Sequence, residues 1–170
     1  FLWFITSNNF LVVGGRDASQ NESLIKKRVE ANDIILHADI QGSPFLVIKT
    51  ENREVKEEDL LEAAQFVVSY SSAWKIGLKL LDAYWVKPEQ VSKKAPSGTY
   101  LSKGSFMIYG HKNYIRNIPL KLAIVFTNDE KNPIRIVPEI YANKNLKNYL
   151  AIIPGNKDKE RIINEIVKEL

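Results

Sequence analysis

The side chains best suited to chemistry are a histidine and an aspartate that lie two residues apart, His37 and Asp39. They belong to an apolar run at residues 34–40 that predicts a β-strand, and alternation along a strand places His37, Asp39 and Gln41 on one face. Such a pair could orient a general base or supply part of a metal site, and it could equally form a polar patch at a sheet edge or in a groove. The chain has no cysteine and one other histidine, His111. Because a closed zinc site usually has four ligands, we expect no metal, no cofactor and no catalytic turnover.

A second feature is positive charge, which is concentrated between residues 86 and 121. This segment has a net charge of +6, with Glu89 as its single acid, whereas the whole chain has a net charge of +4, so the basicity is local. Pro96 and Gly98 suit positions i+1 and i+3 of a type I turn, which predicts that the lysines lie on a loop and not on a helix. The apolar run at residues 105–109 predicts a strand after that loop. The basic residues of the segment are Lys87, Lys93, Lys94, Lys103, Lys112, Arg116 and Lys121.

A lysine-rich loop beside aromatic side chains can bind nucleic acid. Lysines neutralise phosphates, and exposed tyrosines such as Tyr100, Tyr109 or Tyr114 can stack on unpaired bases. The alternative is an ordinary solvated loop, and basic patches also bind membranes and acidic partners. Charge alone does not decide between these uses.

Residues 14–22 place a glycine pair and Arg16 immediately before a predicted helix. Ser19 and Glu22 have the spacing of a capping box, and Asp17 and Gln20 have the same spacing two residues earlier. Free backbone N–H groups and the helix dipole make this segment a candidate anion site. The alternative is a strand-to-helix turn in which Arg16 pairs with a nearby carboxylate. The chain has neither a Gly-x-Gly-x-x-Gly motif nor a Walker lysine, so we do not expect a Rossmann or P-loop nucleotide site.

The remaining patterns predict a fold of the α+β class, built on a largely antiparallel mixed sheet. Hairpins are expected at residues 3–13 and 120–137, and short strands at residues 45–48, 84–86 and 149–153. A helix of about three turns is expected to follow the capping residues, with Leu24, Ile25 and Val29 among its apolar positions. Residues 56–81 have the longest helical periodicity and an acidic first turn, which predicts a long core helix. Asn156 can cap a C-terminal helix whose apolar stripe runs from Ile162 to Leu170.

The composition is typical of one globular domain over residues 1–170. Hydrophobic residues make up 45% and charged residues 26% of the chain, which is expected of a folded domain and not of a disordered segment. No apolar run is long enough to span a bilayer and no signal peptide is evident. We therefore expect a cytoplasmic protein with no membrane partner. The missing initiator methionine suggests a domain cut from a longer chain.

Three longer segments occur together and in order. They are residues 14–22 (GGRDASQNE), residues 37–44 (HADIQGSP), and residues 85–98 (WVKPEQVSKKAPSG) continuing to residues 104–108 (GSFMI). In this combination they closely resemble the NFACT-R domain, the RNA-binding domain of the NFACT proteins, which include bacterial and archaeal RqcH and eukaryotic NEMF. The resemblance spans residues 3–154. One departure is Tyr109, where many relatives are expected to have a basic residue. The Ile- and Lys-rich composition suggests an archaeal source.

The resemblance implies a role in ribosome-associated quality control. Proteins of this family bind the obstructed large ribosomal subunit with its peptidyl-tRNA, and they recruit tRNA so that an untemplated tail is added to the stalled nascent chain. The tRNA-handling residues best known in the family lie in an N-terminal domain that this chain lacks, so the fragment is expected to bind RNA without supporting tailing alone. The implied partners are tRNA, the large ribosomal subunit and other domains of the parent chain. Some short family members bind DNA, which makes DNA a further candidate ligand.

We therefore predict an RNA-binding surface on which residues 14–20, 37–43 and 93–103 converge. The alternatives are an enzyme that acts on RNA through His37 and Asp39, and a module that docks a ribosomal protein or a coiled coil. The predicted nucleic-acid-binding residues are Arg16, Asp17, Gln20, Asn21, His37, Asp39, Lys87, Lys93, Lys94, Ser97, Lys103, Lys112 and Arg116.

Overall fold

Short strands make up most of the regular structure. A computed structural model describes residues 1–155, 161, 164, 165, 167 and 168, so most of the predicted C-terminal helix, including its cap Asn156, lies outside the described residues. The helices of the described part are α1 (Ala18–Lys27), α2 (Glu57–Ser69) and α3 (Glu139–Asn145). The strands are β1 (Leu2–Ile5), β2 (Leu11–Gly14), β3 (Ile34–Ala38), β4 (Leu46–Lys49), β5 (Leu80–Val86), β6 (Val91–Ser92), β7 (Met107–Ile108), β8 (Asn113–Pro119), β9 (Leu122–Phe126), β10 (Ile134–Pro138) and β11 (Leu150–Ile152).

A six-stranded sheet forms the centre of the molecule. Its strand order is β1-β2-β4-β3-β5-β8, and every neighbouring pair is antiparallel. The predicted N-terminal hairpin is confirmed, because β1 pairs with β2 and Asn9 adopts the left-handed φ of 64° that a tight turn requires. The predicted α+β class and the largely antiparallel sheet are therefore confirmed. Strand β8 was not predicted, because Ile118 is its one fully buried residue and its sequence shows little apolar alternation.

Helix α2 covers one face of this sheet and forms the main core. Its Phe66 ring lies 4.7 Å from that of Phe4 on β1, and both side chains are almost fully buried. Burying one large apolar side chain stabilises the fold by roughly 1.5–3 kcal/mol. The buried carboxylate of Glu62 accepts a hydrogen bond from the Ser7 backbone N–H at 2.9 Å and pairs with Lys144 of α3 at 2.9 Å. The helix therefore joins the N-terminal hairpin to the second half of the chain.

The long core helix ends earlier than the helical periodicity predicted. It stops at Ser69, and Leu80 and Leu81 belong to β5. Two serines follow the end of the helix: the Ser71 hydroxyl donates to the Val68 carbonyl of the last turn at 2.7 Å, and the Ser72 hydroxyl donates to the Gln41 carbonyl of the β3–β4 connection at 2.6 Å. Serine competes with helical hydrogen bonds in this way, so the predicted extension to residue 81 was wrong.

Helix α1 and the small β6–β7 sheet cover part of the opposite face. Leu24 of α1 packs in a second apolar cluster with Ile35 and Val47 from the sheet. The helix begins at the cap Asp17, whose carboxylate accepts a hydrogen bond from the Gln20 N–H at 2.8 Å. The cleft described below lies beside the start of α1.

The second half of the chain adds a three-stranded sheet with the order β10-β9-β11. The β9–β10 hairpin and β11 confirm the predictions for residues 120–137 and 149–153. Helix α3 follows Pro138 without an earlier prediction, and its Ala142 is buried in the main core. The three-stranded sheet and α3 pack on α2, on the far side of the molecule from α1.

Candidate nucleic-acid interface

Three separate segments meet around an open cleft of about 550 Å³. The start of α1 supplies Arg16 and Asp17, the β3–β4 connection supplies residues 41–45, and the loop before β7 supplies Lys103. His37, at the end of β3, also lines the cleft. The structure therefore brings together the three segments that the sequence predicted to converge.

The start of α1 is held in shape by its own polar side chains. Asp17 caps the helix by accepting from the Gln20 N–H at 2.8 Å, and the Gln20 amide oxygen accepts from the N–H of Arg16, one residue before the cap, at 2.9 Å. The Asn21 amide oxygen accepts from the Phe45 N–H at 3.1 Å, which ties α1 to β4. Three of the predicted binding residues thus shape the wall of the cleft, while the exposed side chain of Arg16 lines it.

His37 is a neutral, oriented acceptor. Its Nδ1 lies 2.6 Å from the Ala38 carbonyl oxygen, which fixes the proton on Nδ1 and leaves Nε2 with a free lone pair. Burial lowers the pKa of His37 below 6.5; the Ala38 carbonyl and Asp39 oppose that effect, and nearby Lys112 adds to it. Nε2 has no hydrogen-bond partner among the described residues. Every buried side-chain nitrogen and oxygen in the described part of the chain has a hydrogen-bond partner, so Nε2 is not buried and is open to the cleft.

Asp39 does not line the cleft with His37 as alternation predicted. Strand β3 ends at Ala38, and the Ile40 N–H donates to the Ala38 carbonyl at 2.8 Å, which is the hydrogen bond of a three-residue γ-turn centred on Asp39. The turn breaks the two-residue repeat of the strand, so the expectation that His37, Asp39 and Gln41 share one face was wrong for Asp39. Its backbone N–H donates to the Asp82 carbonyl at 2.9 Å, and its side chain is exposed.

Five aromatic rings form a row along this face of the sheet; Phe45 and Tyr84 are buried, His37 and Phe106 are half-buried, and Tyr114 is exposed. Neighbouring ring centroids are 4.9 to 5.7 Å apart, which is within the range of favourable ring pairs. The register of β3, β5 and β8 produces most of this row, because His37 pairs with Tyr84 and Tyr84 pairs with Tyr114. The row runs in the order Tyr114, Tyr84, His37, Phe45 and Phe106. All of these rings except Tyr114 line the cleft.

Cations lie over three rings of this row. The Lys112 ammonium is 4.7 Å from the Tyr84 ring centre, and the Arg116 guanidinium is 4.4 Å from that of Tyr114. Arg116 also pairs with Asp82 at 2.9 Å, so part of its charge is neutralised within the protein. Burial, with smaller contributions from Asp39 and Tyr114, raises the pKa of Tyr84 to about 12, so its hydroxyl is uncharged at neutral pH.

Lys93 is fixed inside the protein and does not project into solvent. Its ammonium donates to the carbonyls of Ser102 and Ser105 at 3.0 and 2.7 Å, pairs with Glu22 at 2.9 Å and lies 4.4 Å from the Phe106 ring centre. Partial burial acts to raise the pKa of Glu22, but hydrogen bonds from Lys26, Lys93 and the Gly104 N–H outweigh it and hold the pKa at about 2. Glu22 and Lys93 therefore form a clamp that holds the loop at residues 102–105 against α1.

The other predicted lysines of the basic segment are free at the surface. Lys87, Lys94 and Lys103 are exposed, and only Lys103 lines the cleft. Ser97 is exposed in a turn closed by the Thr99 N–H, which donates to the Pro96 carbonyl at 3.0 Å. The turn therefore starts at Pro96 and places Gly98, with a φ of 82°, at its third position. This is the pattern of a type II turn, so the predicted type I turn, with Pro96 and Gly98 at its second and fourth positions, was wrong.

Two tyrosines expected to stack on bases have different surroundings. The Tyr109 hydroxyl donates to the Lys94 carbonyl at 2.5 Å, so its ring braces the loop, although 44% of the residue surface is exposed. Tyr114 is exposed to a similar degree and stands at the open end of the aromatic row. In the described residues, no group of three or more His, Cys, Asp and Glu side chains is placed to hold a metal ion, and no helix is long and apolar enough to cross a bilayer.

The sequence analysis did not single out Tyr84, Phe45 or Phe106, and it considered Glu22 only as part of a capping box. Tyr84 was placed on a predicted strand, but alternation alone does not tell which face of a strand meets the binding partner. Phe45 and Phe106 had the pattern of ordinary core residues. The one sequence signal for any of these residues was the capping pattern within residues 14–22, because Glu22 belongs to that segment.

A sheet face with aligned rings and flanking cations is typical of domains that bind unpaired nucleic-acid bases. The fold is of the α+β class, and one face of its sheet has a row of rings with cations beside them. The sequence comparison identifies the family, because the family model for the NFACT protein RNA binding domain matches residues 1–110. The chain belongs to this family of RNA-binding domains.

Relatives from archaea and animals agree with this assignment. The chain is 47% identical over 167 residues to the archaeal Rqc2 homolog aRqcH of Methanocaldococcus jannaschii, covering 98% of this chain and 25% of the relative. It is 46% identical over 116 residues to the human ribosome quality control complex subunit NEMF, covering 68% of this chain and 11% of the relative. The chain thus spans a quarter or less of the length of these relatives. It is the RNA-binding domain of a ribosome quality control family.

A solved structure supports the fold alone. The C-terminal part of the fibronectin/fibrinogen-binding protein from Streptococcus suis matches with a TM-score of 0.57 and 21% sequence identity. The match covers 69% of this chain and 45% of that structure.

Proposed function

We propose that this domain binds tRNA or ribosomal RNA through the face that contains the cleft and the aromatic row. The observation that supports the proposal most strongly is the row of five rings with cations over three of them, at the point where the three family segments meet. Exposed cations bind phosphates and the rings stack on unpaired bases.

Apart from His37, which lines the cleft, the predicted residues divide into three groups on this face. Arg16, Lys94, Lys103 and Lys87 have exposed side chains and are proposed to bind phosphates, together with the half-buried Lys112. Asp17, Gln20, Asn21 and Lys93 are proposed to act by holding α1 and the loop in place, because their polar groups are used within the protein. The remaining predicted residues, Asp39, Ser97 and Arg116, are proposed to contact RNA at the rim of the face.

We propose that the domain has no catalytic activity. His37 Nδ1 is bonded to a backbone carbonyl, and Asp39 lies on a turn outside the cleft, so the two side chains do not form a hydrogen-bonded acid–base pair. The Ser43 hydroxyl accepts from the Ala38 N–H at 3.0 Å and donates to the Pro44 carbonyl at 2.8 Å, which leaves it unsuited as a nucleophile.

We propose that the chain is one domain of a longer protein, as the matched segments of its relatives are, and that it serves ribosome-associated quality control in the cytoplasm. The archaeal relative is named an Rqc2 homolog and the human relative a ribosome quality control complex subunit. By analogy the parent protein would bind the obstructed large ribosomal subunit and recruit tRNA for C-terminal tailing of stalled nascent chains. This domain would contribute RNA contacts to that assembly.

A salt titration of tRNA binding tests the proposal. Replacing Lys94 and Lys103 by alanine should flatten the slope of log K against log salt by about 1.5, since each phosphate contact contributes roughly 0.7–0.9. The matched control is Lys56→Ala with Lys147→Ala, which removes the same charge from exposed positions at the α2 layer and near β11. Equal slopes for the two double variants would show that diffuse surface charge binds the tRNA and that the assigned face does not.

A further inference from the structure

The cleft is concave and lined by aromatic rings, which distinguishes it from a flat stacking surface. Four rings of the row and the ring of Tyr70 line it, and its volume of about 550 Å³ lies within the range of about 300–1,000 Å³ that is typical of small-molecule pockets. A duplex cannot enter a space of this size, because its bases are stacked and paired. A single nucleotide that has left its stack can.

The cleft also presents a polar group suited to a base edge. Nε2 of His37 is an unprotonated acceptor open to the cleft, and its orientation is fixed by the bond from Nδ1 to the Ala38 carbonyl. The uncharged Tyr84 hydroxyl lies 3.4 Å from Nδ1, beside the same ring. Each of the four RNA bases has an N–H on its Watson–Crick edge that can donate to such an acceptor.

Positive charge stands where the sugar-phosphate backbone would leave the cleft. Arg16 and Lys103 are both exposed and both line the cleft, on neighbouring segments, since the loop that contains Lys103 packs on the first turn of α1. A nucleotide with its base among the rings would place its phosphates within reach of these two side chains.

Building on the proposed RNA-binding function, we propose that the cleft holds one unpaired nucleotide of the bound RNA. Its base packs among the rings of the cleft and donates an N–H to His37 Nε2, while Arg16 and Lys103 bind the adjoining phosphates. Because every base offers an N–H donor, the site selects for an unpaired base and only weakly for its identity. The other surfaces of the face then bind RNA without regard to pairing.

Two RNA hairpins that differ by one bulged nucleotide test this proposal. The bulge is 2-aminopurine, whose emission falls when it stacks on an aromatic ring, and the second hairpin is fully paired. We expect the domain to prefer the bulged hairpin by roughly 5- to 150-fold, the range for stacking one base on a protein ring, and to quench its emission. Equal affinity for both hairpins would overturn the cleft proposal and leave the RNA-binding function standing. Failure to bind either hairpin at low salt would overturn both.

Substitution at His37 separates the cleft from the rest of the face. His37→Leu removes the acceptor at similar size and should reduce the preference for the bulge roughly two- to tenfold. The control is His111→Leu, because His111 is exposed and does not line the cleft. Phe106→Leu, which removes one ring but keeps an apolar side chain, should also reduce the quenching. If both cleft variants keep the urea midpoint and the full bulge preference of the native domain, the nucleotide does not bind in the cleft.

Discussion

Replacing Gly104 by alanine should open the cleft by detaching the loop that holds Lys103. Gly104 has a φ of 81°, and a Cβ at this position would lie 2.7 Å from both the Cα and the carbonyl oxygen of Ala18. The left-handed conformation costs an L-residue roughly 1–2 kcal/mol, and overpacking typically costs a further 1–3 kcal/mol. The loop can escape part of this cost by moving away from α1, at the expense of the 2.6 Å hydrogen bond from the Gly104 N–H to Glu22. We therefore expect Gly104→Ala to destabilise the domain by about 2–4 kcal/mol.

Gly98→Ala is the matched control for this substitution. Gly98 has nearly the same φ, 82°, but no atom lies within 4 Å of the position its Cβ would occupy. This variant therefore has the conformational cost alone, about 1–2 kcal/mol. The difference between the two variants isolates the contact between the loop and the first turn of α1.

Equilibrium urea unfolding, combined with binding of the bulged hairpin, measures both consequences. Gly104→Ala should lower the unfolding midpoint more than Gly98→Ala does, and it alone should weaken the preference for an unpaired base. If the two variants have the same midpoint and the same bulge preference, then the loop does not depend on its contact with α1. The position of Lys103 at the cleft would then not contribute to the preference for an unpaired base.

Three further outcomes follow from the site. Glu22→Gln should destabilise the domain by about 1–3 kcal/mol in urea unfolding at pH 7, because Lys93 loses a charge-assisted acceptor, and unchanged stability at pH 7 would contradict the clamp. Because the pKa of Glu22 in the folded domain is about 2, this stabilisation is present above pH 4.5 and is lost as the pH falls towards 2. Because burial lowers the pKa of His37, the unfolded chain binds more protons below pH 6.5, and native stability should fall between pH 7 and 5.5 more steeply than that of His37→Leu. Tyr114→Ala should weaken single-stranded RNA by roughly 1–3 kcal/mol, and an equal loss for duplex RNA in a fluorescence-anisotropy titration would argue against stacking.

The basic segment at residues 86–121 offers a ligand less positive charge than its sequence contains. The basic segment has seven cationic side chains, yet Lys93 is used inside the protein and Arg116 and Lys121 face carboxylates of Asp82 and Glu139. The free charge near the cleft is therefore smaller than the sequence count. RNA binding by this face should accordingly depend on the rings as well as on counterion release.

The sequence by itself determined most of the strand positions, the family and the three segments that form the site. Hairpins are local, and turn residues such as Asn9 act between neighbouring strands, so their pairing is encoded over about ten residues. The cap of α1 is local for the same reason, although two overlapping capping patterns were present. The structure selected Asp17 with Gln20 because the Gln20 side chain reaches the Arg16 N–H.

The tertiary structure decided which of these residues can meet a ligand. Periodicity predicted a helix to residue 81, but the helix ends at Ser69. Ser71 bonds to the last turn of the helix, and Ser72 bonds to Gln41 before β4, which only the folded chain brings beside it. The aromatic row likewise depends on strand register, which places Tyr84 opposite His37 although 47 residues separate them in sequence. Contacts of this kind form between distant segments, so no pattern within one segment encodes them. The same reason explains why Lys93 and Lys94, adjacent in sequence, differ so completely: one reaches Glu22 across the fold and the other remains in solvent.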